Sequence, residues 1–311
     1  MNSPMALKQS GGQLERRMPS SAHITHRFSA MTVPCEVQLY DSLNANHIAE
    51  MIEHNTRRLE KKYNFYSNDS WLSTELNHRD ADRVQLDDES VGIFQTIRNL
   101  TIGTDGVFDP TVGSIKCLLK ENSHLTHEQA YHLAKPMMGQ SVWNIEGNEL
   151  VLAHARTRFD LGGVIKEFAI DQAISIVESL GVSSALINFG GDIRVLGSKP
   201  DNIPFNVAVV NPSNPTEAFF SLPLVNAALT TSAHYERKTE FSDIQTSHIL
   251  SEKGTHSKVL SVTVIAPTAL EAGAISTALT INPLLSIPKE AGVIFIDDEL
   301  KIHQDTEFLT Q

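Results

Sequence analysis

Cysteine is almost missing from this chain: of 311 residues, only Cys35 and Cys117 are cysteines. Two isolated thiols make neither a disulfide framework nor a zinc-binding spacing, and a reducing cytoplasm is the expected compartment. No run of about 18 apolar residues occurs, so no membrane-spanning helix is expected. Residues 1–26 are largely polar and have no apolar run of the kind found in a signal peptide or anchor; they read as a disordered tail. Basic blocks are absent too, and 37 acidic against 25 basic residues leave a formal net charge of −12. That balance argues against nucleic acid or an anionic membrane as the main partner. No Walker loop, GxGxxG, HExxH or GxSxG is present, which removes the usual support for P-loop, Rossmann, zincin and serine-hydrolase chemistry. Internal repeats and low-complexity tracts are also lacking.

What remains is an ordinary globular composition, 41% hydrophobic and 20% charged, with enough length for a large core. Residues 27–311 read as one domain. Phe28–Tyr40 reads as a strand, and Asn44–Tyr63 and Asp87–Ile102 as amphipathic helices. A polar loop, FYSNDSWLSTELN, separates those helices, and GVFDPTVGSI after them is turn-rich. Thr126 caps a short helix, and Trp143–Ala153 is a hairpin turning at Gly147-Asn148. A helix from about Gly163 to Leu180 stops at Gly181. Strands are expected at Ser184–Phe189, Asn206–Val210 and Leu260–Ala266. An Ala-rich helix spans Thr268–Ile281, and a last hairpin joins Gly292–Ile296 to Leu300–His303. Hairpins outnumber βαβ units, so the fold class is α+β with a mixed, largely antiparallel sheet flanked by helices.

The stretch from Phe159 to Arg194 is the most informative. Two Gly-Gly pairs, Gly162-Gly163 and Gly190-Gly191, bracket one helix and one strand. Glycine has no side chain to block a ligand, and a helix N-terminus favours anions. Asp160 precedes the first turn, and Lys166 follows one turn into the helix. One reading is a phosphate held by the amides and Lys166, with Asp160 accepting from a hydroxyl; the other is a plain helix cap. Asn188 to Asp192 places its glycines under a ligand or makes a tight turn. The Thr104–Gly113 segment is a dense turn in which Phe108 packs on a ring or plugs the core. A hydroxyl-rich run, Thr230 to Arg237, precedes His248, a residue type that shuttles protons near neutral pH.

In combination and order these segments resemble the FAD:protein FMN transferases, the ApbE-type flavin transferases. GVFDPT (106–111) matches a GxFDPT motif, DLGGVIKEFAID (160–171) a DLGGxxKGxAxD motif, and NFGGDI (188–193) an NxGGDI motif. TSAHYER (231–237), His248-Ile249, SVTV (261–264) and EAGAISTAL (271–279) follow in family order. FSAMTVP and FYSNDSWLS resemble an earlier strand and loop. The resemblance covers about residues 27–300 and implies a T-fold-like α+β domain.

It also implies an activity: cleavage of FAD, transfer of FMN to a Thr or Ser hydroxyl of a partner redox flavoprotein, and release of AMP with magnesium. On that basis Met31, Tyr66, Val107, Phe108 and Asp109 line the FAD site. Asp160 and Lys166 contact FAD from either side of the first Gly-Gly turn, Gly190, Gly191 and Asp192 form the second, and Ile249 packs nearby. The Gly163 carbonyl and the Thr277 hydroxyl reach the metal, and His248 assists the acceptor hydroxyl. The chain departs from the family at several glycines: Glu167 replaces the one after Lys166, and Ala233 the one in TSG. The family's metal aspartate, four residues before Thr277, is Gly273. Glu271 lies about 200° away around the helix and is a poor substitute. Two alternatives follow from that departure: an FAD-binding member that does not transfer, and an FAD pyrophosphatase.

Overall fold

A computed structural model describes residues 23–233, 258–304 and 306. Its centre is an eight-stranded sheet in the order β1-β2-β6-β7-β10-β11-β12-β13. The strands are β1 (His23–Ala30), β2 (Val33–Tyr40), β6 (Ala185–Phe189), β7 (Asp192–Leu196), β10 (Ala228–Ala233), β11 (Val259–Ala266), β12 (Gly292–Asp297) and β13 (Ile302–His303). Every described pairing in it is antiparallel. Three strands, β3 (Arg83–Gln85), β4 (Trp143–Glu146) and β5 (Glu149–Leu152), form a small second sheet. Strands β8 (Phe205–Asn211) and β9 (Asn214–Leu224) form a separate hairpin.

Three helices cover one face of the large sheet. They are α1 (Ala45–Tyr63), α5 (Ile165–Ser179) and α6 (Ala269–Ile281), and α5 packs against both of the others. On α1, Ile48, Ala49, Ile52 and Leu59 form the buried stripe that its periodicity demands. Helix α6 is apolar and small on nearly every side and is buried almost throughout. Its Ala, Gly and Ser residues let it sit close to β10, β11 and α5. The opposite face of the sheet meets the β8–β9 hairpin through Ile193, Val195, Phe205, Val207, Val209 and Leu224. Helix α2 (Asp88–Gly103), capped by Asp87, contacts α6 and strand β4 of the small sheet, and α3 (Gly113–Glu121) follows the turn after it. A Thr126–Gln129 capping box starts α4 (His127–Ala134).

The fold is the expected α+β class, one domain of helices and antiparallel sheet. Several local expectations need correction. The strand expected over Phe28–Tyr40 is a hairpin whose turn residues, Met31 and Thr32, have φ of 50° and 63°. Left-handed backbone at both positions suits the twist of a two-residue hairpin, and neither residue type announces it. The first strand starts at His23, inside the stretch read as a tail; residues 1–22 lie outside the described residues. The turn-rich GVFDPTVGSI holds a 3-10 turn, Pro110–Val112, and the start of α3. The polar loop contains a π-helical turn, Leu72–Asn77. Strands β3, β7, β9 and β10 were not expected at all.

Candidate functional site

One cleft, about 470 Å³ in volume, opens where the β1–β2 turn, the start of α5, the start of α3 and the face of α6 converge. A volume of that size suits a small-molecule site. Met31, Tyr66, Val107, Phe108, Asp109, Asp160, Gly163, Lys166, Gly190, Asp192 and Thr277 all line it. Gly191, the neighbour of Gly190 in the β6–β7 turn, is not part of the lining. His248 and Ile249 lie outside the described residues.

The wall built from α3 and the Asp160 turn is organised by a buried ion pair. Lys116 Nζ lies 2.6 Å from Asp160 Oδ2. Burial works against the lysine charge, but Asp160 outweighs it and raises the Lys116 ammonium above the ordinary lysine range. The other Asp160 oxygen accepts from the Gly162 amide at 2.9 Å and shapes the turn into α5. Lys116 also donates to the Tyr66 hydroxyl at 3.3 Å and lies over the Phe65 and Tyr66 rings. Tyr66 itself is exposed at the rim, its ring available to a planar ligand.

Asp109 is placed differently from a simple ligand contact. Its carboxylate accepts from the Thr111 amide at 2.9 Å, the Thr111 hydroxyl at 2.5 Å and the Gly139 amide at 3.0 Å. Burial nevertheless raises it above the usual aspartate range, these hydrogen bonds offsetting only part of the cost. It fixes the Val107–Phe108 segment at the cleft through the turn that follows.

The facing wall combines α5, the β6–β7 turn and α6. Lys166 Nζ lies 2.5 Å from Asp192 Oδ2 and 3.7 Å from Glu167 Oε1. Glu167 is 6% exposed, and burial pushes its carboxyl up to about 7; Lys166 pulls it down and the adjacent Asp192 carboxylate pushes it further up. Among the described residues its Oε2 has no hydrogen-bond partner, nor has the buried Thr230 hydroxyl on the same cleft. Gly190, at φ 63°, has no room for a side chain: a Cβ there would lie 2.8 Å from Val33 at the start of β2. On α6, Gly273 and Thr277 are one turn apart and share the face that borders the cleft. Helix α6 is held by Asp171 of α5, which accepts from the Ala269 and Leu270 amides and pairs with Arg194 of β7 at 2.8 Å.

Three residues of this arrangement went unassigned in the sequence reading. Lys116 carried no motif signal, and its partner is 44 residues away. In the sequence Asp171 stands only as the last residue of the DLGGVIKEFAID segment. Glu167 was noted only as a lost glycine. Neither cysteine offers a nucleophile at the cleft: Cys35 is buried, with a thiol pushed up to about 11 by burial, and burial raises Cys117 too.

Helices packed on one face of an antiparallel sheet, with a cleft that joins two acid–lysine pairs beneath glycine turns, define an α+β protein with a polar cleft of small-molecule size. The ApbE family model matches residues 31–291, and the chain belongs to that family. An FAD:protein FMN transferase of Vibrio cholerae is 23% identical over 225 residues, covering 70% of this chain and 67% of that protein. One from Klebsiella pneumoniae is 28% identical over 230 residues, 70% of this chain and 65% of its own length. The alignments thus span about two thirds of these relatives. Among solved structures, an ApbE protein of Thermotoga maritima superposes with a TM-score of 0.78 at 24% identity, covering 92% of this chain and 98% of its own. The Vibrio cholerae flavin transferase ApbE gives 0.76 at 19% identity, covering 93% and 98%.

Proposed function

We propose that this chain is an FAD:protein FMN transferase. It binds FAD in the cleft, transfers FMN to a Thr or Ser hydroxyl of a partner redox protein, and releases AMP. The observation that carries this reading is convergence: motif segments from Met31 to Thr277 meet around one cleft with two acid–lysine pairs.

The residues divide the work by position. Phe108 and the Tyr66 ring offer flat apolar surface to the isoalloxazine. Asp160, held by Lys116, presents a fixed acceptor beside the Gly162-Gly163 turn. Lys166 and the start of α5 bring positive potential to the pyrophosphate. The acceptor hydroxyl attacks the FMN phosphorus, the bond to the AMP oxygen breaks, and the hydroxyl proton passes to His248. Magnesium, when bound, neutralises pyrophosphate charge and stabilises the departing AMP phosphate. The hard oxygen donors at the cleft, Glu167 Oε2, the Thr277 hydroxyl and the Gly163 carbonyl, are of the kind that ion takes, and the orphaned Glu167 oxygen fits a cation. The compartment of this reading is the cytoplasm, in keeping with two free thiols. Among the described residues, no helix is long and apolar enough to cross a membrane.

The test is incubation of the purified chain with FAD, magnesium and an acceptor flavoprotein domain. Equal amounts of AMP and covalent flavin, read by chromatography and in-gel fluorescence, are the expected result. AMP without a flavin band makes the chain a pyrophosphatase. FAD binding with neither product makes it a non-transferring binder, and no quenching of FAD fluorescence defeats the reading altogether.

A further inference from the structure

Position 273 is glycine on a helix packed tightly on its neighbours, and the space beside it is filled from α5. A Cβ built at Gly273 would lie 2.8 Å from Glu167 Cγ, 3.3 Å from Cδ and 3.4 Å from Oε1. The Glu167 side chain therefore occupies the volume that a side chain on α6 would need. Two departures from the family pattern, a glutamate where glycine is usual and a glycine where aspartate is usual, are thus one event in space. The carboxylate has not been lost from this corner of the cleft. It enters from the other helix.

The environment of Glu167 points to a ligand. The side chain is 7% exposed, and Oε2 has no hydrogen-bond partner among the described residues. Oε1 has Lys166 Nζ at 3.7 Å, beyond hydrogen-bond distance, because that ammonium is drawn to Asp192 at 2.5 Å. A buried carboxyl oxygen left without a partner is costly whether or not the group carries its proton. The second carboxylate, Asp192, shares Lys166 with it, so that two carboxylates face a single ammonium held close to only one of them. Thr277, on the face of α6 shared with Gly273, and Gly163 line the same cleft, and a hydroxyl and a carbonyl are further oxygen donors of the kind magnesium takes.

We propose that Glu167 supplies from α5 the magnesium carboxylate that position 273 on α6 does not carry. The inference rests on the transferase reading and adds to it a relocated metal ligand. It follows that residues 167 and 273 are exchangeable only as a pair.

The experiment uses the full chain saturated with FAD and measures Mn²⁺ affinity by electron paramagnetic resonance. FAD affinity is first measured without metal by fluorescence quenching. Glu167→Gln, saturated with FAD at its own measured affinity, is expected to weaken Mn²⁺ by at least about tenfold, the least that losing even an outer-shell partner of a metal costs. The double exchange Glu167→Gly with Gly273→Asp is expected to recover Mn²⁺ to within about threefold of the wild type. Should Glu167→Gln fail to fold, the double exchange set against Glu167→Gly alone makes the same comparison. Wild-type Mn²⁺ affinity in Glu167→Gln overturns the inference, and so does a double exchange no better than the single variant. A wild type that binds FAD but no Mn²⁺ overturns it too, and leaves FAD recognition standing. Mn²⁺ binding that depends on Glu167, in a chain that transfers no flavin, keeps the inference and overturns the transferase reading alone.

Discussion

On one wall of the cleft, Asp160 meets Lys116 at 2.6 Å, Asp109 braces its own turn, and Phe108 sits where the family motif places it in sequence. On the wall opposite, Gly273 has no side chain, and the nearest carboxylate reaches over from another helix. The first wall is built on tight turns, Asp109 on Thr111 and Asp160 on Gly162, with the long-range Lys116–Asp160 pair laid across them, so that a change at a turn residue changes the path of the chain. The second is held by side chains crossing between α5 and α6, where volume can be traded from one helix to the other. A motif written along the chain describes the first kind of wall well and the second kind badly.

That contrast is sharpest at two glycines. Alanine at Gly113 would place its Cβ 2.8 Å from the Arg158 carbonyl oxygen and 2.9 Å from the Asp160 amide nitrogen. Neither is a group that can swing aside, so Gly113→Ala should cost about 3 kcal/mol, read by urea unfolding, and weaken FAD binding by moving Asp160. At Gly273 the three atoms nearest a new Cβ all belong to the Glu167 side chain, which can rotate at some cost. Aspartate there also brings a third carboxylate towards Glu167 and Asp192. Gly273→Asp alone should therefore cost less, about 2 kcal/mol, with the loss largely removed when Glu167 is also changed to glycine. Equal losses at the two positions, or no relief in the double variant, would break the distinction between the walls. At the turn-built wall, Lys116→Ala strands the buried Asp160 carboxylate and should raise the FAD dissociation constant about tenfold in a quenching titration.

The sequence made the same division. Helices α1, α2, α5 and α6 were legible because their apolar spacing or their caps are local signals. The β4–β5 hairpin was legible from Gly147-Asn148. The β1–β2 hairpin was not, because Met31 and Thr32 adopt left-handed backbone without glycine or asparagine to mark the turn. Strands β7 and β10 went unread because β10 is bounded by no strong punctuation and β7 is a short run after a turn, each completed by its partner. At the cleft, most motif residues could be singled out one by one, since they lie in turns or at helix starts; Thr277, inside α6, is the exception. Lys116 could not be, because its meaning comes from Asp160, 44 residues further along the chain. Glu167 and Gly273 were each visible as departures, but their contact joins the first turn of one helix to the middle of another, and no linear spacing encodes it.

Behind both walls lies a network that should respond to neither distinction. Glu89 of α2 accepts from Arg58 and from Lys62 of α1, the latter at 3.0 Å, and from Gln172 of α5 at 3.3 Å. Burial pushes the Glu89 carboxyl up, but the Arg58 and Lys62 hydrogen bonds together win and hold it at about 2, below its ordinary 4.5. A carboxyl lowered on folding contributes stability that is present in full above pH 4.5 and is lost as pH falls towards 2. With solvent screening of this partly exposed cluster, that contribution is about 1–2 kcal/mol. Glu89→Gln should therefore melt several degrees below the wild type at pH 7, and the gap should close as the pH is lowered through that window. Because α1, α2 and α5 support both sides of the cleft, FAD affinity and Mn²⁺ affinity should fall together, and only slightly. A selective loss of one of them would show that the network belongs to that wall. A gap that stays constant with pH would show that the carboxylate contributes packing and not charge.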